Sequence, residues 1–195
     1  MKKVVVATWL VALCGLVCGL FWYNEYRYTL PTPVPPHYKK IVNGRHIKLG
    51  KDLQFNNNKP IFLHFFNPDC PCSRFNIRHF KEIVQQYGNK ANFAIIVITR
   101  QPFDAKAIQR KFELSIPVIH NPALAILCGV YSTPQAVIIN GEGRLFYRGN
   151  YNRSRYCTDT QTAYARQAID NLVNKRANSI KDLLATTAYG CQLSE

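Results

Sequence analysis

Acidic residues are scarce in this chain: 11 Asp and Glu stand against 25 Lys and Arg, a formal charge of +14 over 195 residues. So one-sided a balance raises nucleic acid as a partner. The cations do not cluster, however. Apart from Lys2 and Lys3 they are scattered through every segment after residue 26, and no RNA- or DNA-binding motif accompanies them. The expected surface is a solvated basic one that tolerates anionic lipid headgroups, with no nucleic-acid partner. Charged residues make up only 18% and hydrophobic residues 47%, which excludes a disordered chain. Internal repeats are absent too, and the length suits one domain plus an appendage.

Long apolar runs are also few, and the one that stands out is at the N-terminus. "VVVATWLVALCGLVCGLFWY", Val4 to Tyr23, carries no charge and follows Met1-Lys2-Lys3. About twenty such residues span a hydrocarbon core of ~30 Å. Trp22 and Tyr23 stand where interfacial aromatics belong, and the leading lysines favour an N-in orientation. The expectation is a single-pass anchor in a bacterial inner membrane with a periplasmic domain. A cleaved signal peptide is the alternative, with Val17-Cys18-Gly19 as its weak cleavage site. Cys14 and Cys18 do not follow the small residue a lipoprotein cysteine requires, and read as membrane-embedded filler.

Five cysteines lie beyond this run: Cys70, Cys72, Cys128, Cys157 and Cys191. The number is odd, so in an oxidising compartment at least one is a thiol or bonds to another molecule. That suits thiol exchange better than a purely structural framework. "LPTPVPPHY", Leu30 to Tyr38, reads as a stiff spacer. The expected organisation is an anchor at 1–26, a proline-rich linker at 27–40, a domain at 41–176 and a helical extension and tail at 177–195. "IVNGRHIKLG" alternates around Asn43-Gly44, a hairpin signal. "KPIFLHFF" and "NFAIIVITR" read as buried strands. Between them, apolar residues recur at helical spacing from Cys70 to Tyr87, with Pro71 in the first turn and Gly88 closing. A helix from Asp104, the short strand "IPVIH", a helix from Asn121 and a strand pair turning at Gly141–Gly143 follow. A helix over about 160–175 comes next, with a resumption towards Ala188. Such alternation builds a mixed sheet with helices on both faces.

The stretch "HFFNPDCPCSRFN", with "GVYSTP" and "TPQAVIINGEGRLFYRG", resembles thioredoxin-like domains of the membrane-anchored TlpA/redoxin type over about 41–175. The resemblance implies a three-layer α/β/α fold, thiol–disulfide exchange with protein thiols and disulfides, an unidentified redox partner and no cofactor. It assigns the nucleophile to Cys70 and a cis bond to Thr133-Pro134 facing it. One departure stands out: the family places two residues between its cysteines, and here Pro71 stands alone, so Cys72 comes one residue early.

A cysteine at a helix start meets unpaired N–H groups and the positive end of the helix dipole, which stabilise a thiolate. Arg74 and Arg78 act in the same sense and Asp69 in the opposite one. A Cys70–Cys72 disulfide would be a tight ring, poised as oxidant or isomerase, and one that does not close leaves each cysteine needing another partner. Two thiolates with a histidine could instead hold Cu(I) or Zn(II) in a metallochaperone, although His64, His79 and His120 lack ligand-like spacing to the pair. His64 reads as a core histidine. A peroxidase reading asks for Thr or Ser three residues before Cys70, where Asn67 stands.

Topology adds Cys157. In a thioredoxin-like sheet the strand after Pro134 runs away from the site and its hairpin partner returns. The loop at 149–159 then emerges beside Cys70 and Cys72 and brings Cys157 with it, as a third redox cysteine. The competing expectations are an inert thiol or a bond to Cys191 or Cys128.

Overall fold

The structure is a computed structural model, describing residues 2–27 and 30–193. Two compact units divide the chain, Met1–Pro31 and Thr32–Glu195. The first is built on α1 (Lys2–Arg27), whose 26 residues would reach about 39 Å at helical rise. It is long and apolar enough to cross a membrane.

In the second unit a five-stranded sheet has the order β3-β2-β1-β5-β6. Its strands are β1 (Ile61–Phe66), β2 (Asn92–Val97), β3 (Val118–His120), β5 (Gln135–Ile139) and β6 (Leu145–Gly149). β1, β2 and β3 are parallel, while β5 runs antiparallel to both β1 and β6. Strand periodicity sorts the side chains. Phe62 and Phe66 join a core with α2 (Pro71–Tyr87), α3 (Ala105–Phe112) and α5 (Tyr164–Val173), whereas Leu63 and Phe65 pack on the opposite face with α4 (Pro122–Cys128). This is the three-layer arrangement expected from the sequence.

Asn43-Gly44 makes a turn but no hairpin. Gly44 adopts a positive φ of 86°, and Gly44, Leu145 and Ile47 donate backbone hydrogen bonds to Leu145, Arg45 and Gly143 respectively. The open edge at the start of β6 offers these groups partners, and a two-stranded hairpin alone is marginal in water. The helix expected over 160–175 is shorter because Thr162 Oγ1 and Gln161 N–H donate to the Asp159 carboxylate, holding a turn until Tyr164.

Two further expectations shift. The proline-rich stretch is not a free spacer from Thr32 on: Thr32 N–H donates to Ala188 O at 2.8 Å, and Tyr38 packs edge-on against Tyr131. Nor is the end of the chain an appended tail. α6 (Leu183–Thr186) is fastened to the loop after β6 by Asn150, whose N–H donates to Ala185 O and whose Nδ2 donates to Leu184 O and Thr187 O. The Tyr147 hydroxyl bonds Asn150 O and Ala185 O at 2.7 and 3.1 Å. Gly149 makes this approach possible, since a Cβ there would overlap Ala185 O and the Tyr147 ring. Beyond α6, β7 (Cys191–Gln192) pairs antiparallel with β4 (Ser132–Thr133), with Cys191 opposite Thr133.

His64 is a core histidine, as its strand position suggests. It is fully buried, stacks on Phe80 at 4.4 Å and sets Nδ1 2.7 Å from the Tyr151 hydroxyl. Burial holds its pKa down to about 3. Burial, then the Arg166 charge, lowers His79 to about 4 against an opposing effect of Glu82. Both are neutral when folded at pH values where an unfolded histidine, near 6.5, takes up a proton. Their stability contribution is therefore complete above about pH 6.5 and is lost as the pH falls towards 4, by about 1.4 kcal/mol per pH unit for each. Urea midpoints should be level above pH 7 and drop steeply below 6.5. His64→Phe should lower the midpoint at pH 7.5, because Tyr151 loses its partner, yet flatten the acid slope by about one proton. Equal slopes for the two proteins would refute this account.

Candidate active site

The site is assembled where the C-terminal ends of the parallel strands meet the start of α2. After β1, Asn67 Oδ1 accepts from Asp69 N–H at 2.9 Å and Asn67 O from Cys70 N–H at 3.1 Å. This turn delivers Cys70 to the N-cap of α2 in extended geometry, with Pro71 at the first helical position, where a missing N–H costs nothing. Cys70 is 1% exposed. Facing it, the Thr133-Pro134 peptide bond is cis, and Thr133 O lies 3.5 Å from Cys70 Sγ.

Cys70 is in a disulfide, and its partner is Cys191, with a Cα separation of 5.9 Å. This differs from the Cys70–Cys72 pairing that the adjacent thiols suggest. The N-cap residue is still extended, whereas Cys72 lies one residue inside the first turn and joins the buried face of α2. Cys191 reaches Cys70 because β7 lies against β4. Leu193 N–H donates to Tyr131 O at 3.1 Å, and Thr32 Oγ1 donates to Gly190 O at 3.3 Å. Gly190 has φ 134°, and a Cβ there would overlap Thr133 O, so the strand comes this close only as glycine.

Cys72 retains its thiol at 1% exposure, and it shares a narrow cavity with Asn76, Pro134, Tyr151, Cys157 and Tyr189. The loop after β6 thus brings Cys157 beside Cys72, as its topology requires. Asn76 Nδ2 donates to Cys157 Sγ at 3.2 Å. Burial, reinforced by Cys72 and Glu82, pushes the Cys157 thiol up to about 12 against the Asn76 hydrogen bond. It is a protonated thiol at neutral pH, and a poor nucleophile. Cys128 lies in the core on the other side of the sheet, raised to about 12 by burial. Among the described residues no cluster of three or more His, Cys, Asp or Glu side chains is arranged to hold a metal.

Of the residues singled out in the sequence, Cys70 and Thr133 meet directly, and Cys72, Pro134 and Cys157 line one cavity. Cys191 was missed as a site residue. Its signal was the odd cysteine count, which says that partners are unsettled without saying which.

Residues 39–193 match the family described as "Domain of unknown function (DUF6436)". No curated protein matches the chain. Among solved structures, an uncharacterized conserved protein from Geobacillus kaustophilus aligns with a TM-score of 0.65 at 16% identity, covering 84% of this chain and 98% of that one. A thioredoxin-like protein in its oxidised form aligns at 0.51 and 13% identity, over 75% and 97%. A thiol:disulfide interchange protein from Bacteroides sp. aligns at 0.50 and 12% identity, over 69% and 91%. Identities this low speak for the fold, and the fold is thioredoxin-like. The chain belongs to the DUF6436 family, and in it the matched residues have a thioredoxin-like fold and follow an apolar helix.

Proposed function

We propose that this protein is a membrane-tethered, extracytoplasmic thiol–disulfide oxidoreductase that exchanges disulfides with protein substrates through Cys70. One observation carries the reading: a cysteine at the start of a 17-residue helix, beside a cis-proline loop, is half of a disulfide whose other half sits on a two-residue strand. A helix start favours the thiolate that exchange requires. Here the bond that exchanges is the one between Cys70 and Cys191. Thr133 and Pro134 wall the site, and Cys72 and Cys157 stand behind it as thiols. α1 supports tethering, as a single N-in span of a bacterial inner membrane with the domain in the periplasm.

The oxidised, detergent-solubilised protein should convert a dithiol peptide to its disulfide with stoichiometric loss of the Cys70–Cys191 bond. With dithiothreitol supplied, it should accelerate insulin reduction. Inertness in both assays would overturn the oxidoreductase reading. In cells the protein should resist carbonate extraction, because an apolar run this long outweighs peripheral attachment. A soluble mature form beginning near Leu20 would overturn the tether.

A further inference from the structure

Exchange at a disulfide begins when a thiolate attacks one of its two sulfurs, so which sulfur can be reached decides the chemistry. The two sulfurs here are unequally placed. Cys70 is 1% exposed, with the Thr133 carbonyl 3.5 Å from its sulfur and the strand carrying Cys191 bonded to it. Cys191 is partly exposed, on a strand of two residues that pairs along one edge only. A partner held outside the domain meets Cys191 first. The leaving groups differ in the same sense. If Cys191 is attacked, Cys70 departs as a thiolate at the positive end of the α2 helix dipole, which stabilises the charge. If Cys70 were attacked, the thiolate would depart on an irregular strand with no helix behind it.

Building on the exchange reading above, we infer that Cys191 is a catalytic residue: the sulfur that forms the mixed disulfide with the partner, borne on an arm that docks and undocks at Tyr131–Thr133. A partner thiolate attacks Cys191 Sγ. The partner–Cys191 bond forms, the Cys70–Cys191 bond breaks, and Cys70 leaves with the electron pair. A second thiolate of the same partner then attacks the partner's own bonded sulfur and expels Cys191, which takes up a proton. Two electrons pass from a partner dithiol to Cys70 and Cys191; one of its protons ends on Cys191, the other goes to solvent while Cys70 stays a thiolate, and the partner leaves as a disulfide. The partner class is a protein dithiol able to approach this edge. Gly190 is the pivot, since its φ of 134° suits no other residue at the docked position.

The test maps the first adduct. Oxidised full-length protein in detergent is mixed with excess reduced glutathione, quenched with acid within seconds, alkylated and digested, and the peptides are read by mass spectrometry. The fraction trapped before Cys70 expels the glutathione should carry it on Cys191 with the alkyl group on Cys70, in at least tenfold excess over the opposite arrangement. A reversed or even ratio would overturn the assignment, as would recovery of both cysteines as thiols from air-oxidised protein. Gly190→Ala should make Cys70 alkylate faster in the reduced protein, because the arm no longer seats over it; an unchanged rate would also count against the assignment. The outcomes stay separable from those of the exchange reading. An adduct on Cys191 without dithiol oxidation would defeat the oxidoreductase function and leave the arm assignment standing. Dithiol oxidation with the adduct on Cys70 would do the reverse.

Discussion

Cys70→Ser should reduce dithiol oxidation to the rate measured without protein, because it removes half of the disulfide that accepts the electrons. Serine is a good N-cap residue, so α2 keeps its start and the domain should still fold. The disulfide is lost, however, and it closes a loop with a sequence separation of 121. Loops of that length contribute about 2–5 kcal/mol, chiefly by restricting the unfolded chain. Under oxidising conditions the variant should therefore melt below the wild type, and under reducing conditions alongside it. Cys191→Ser should show the same melting behaviour but keep the Cys70 sulfur, which then holds glutathione as a lasting mixed disulfide when offered oxidised glutathione. Cys72→Ser should retain most of the rate, since Cys72 is not in the disulfide that turns over. Activity surviving in Cys70→Ser and collapsing in Cys72→Ser would assign the chemistry to the wrong cysteine.

The largest effect on the fold is expected from Gly149→Ala. The added methyl would meet a main-chain carbonyl at Ala185 and the rigid ring of Tyr147, neither of which can rotate away. The overlap should cost about 3 kcal/mol, near the top of the usual overpacking range. It should be relieved by lifting α6, and with it the hydrogen bonds from Asn150. The readouts are a lower urea midpoint and faster Cys70–Cys191 reduction, since the arm then hangs from a loosened support. Gly50→Ala is the control: nothing lies within 4 Å of a Cβ there, and its midpoint should move by less than about 0.5 kcal/mol. Equal midpoints for the two variants would show that α6 is not clamped at Gly149.

The parallel strands and α2 were legible in the sequence because burial imposes a short period on residues close in the chain: Phe62, His64 and Phe66 face one way, Leu63 and Phe65 the other. Cys157 could be placed for a related reason, since a tight hairpin reverses direction whatever its side chains. Asn43-Gly44 misled because a local turn signal says nothing about which edge its flanks will join. Cys191 was harder still. Its position depends on β7 finding β4 some sixty residues away, on Gly190 allowing the approach and on Asn150 fixing α6, and none of these leaves a periodic trace. A neighbouring cysteine is conspicuous on the page, whereas geometry selected a distant one.

The fixed point from which the arm hangs sets its reach. Ala188 is fully buried and accepts a hydrogen bond from Thr32, and Cys191 follows it by three residues. A tether that short confines the sulfur to a radius of about 10 Å. Within that radius Cys191 faces Cys70 at an effective concentration of roughly 0.4 M, one molecule in a sphere of that size. A single thiol that captures Cys191 is therefore thrown off by Cys70 before a second molecule arrives. A partner with its second thiol already in place completes the transfer first. The short leash thus works as a filter on valence, admitting dithiols and returning monothiols unchanged.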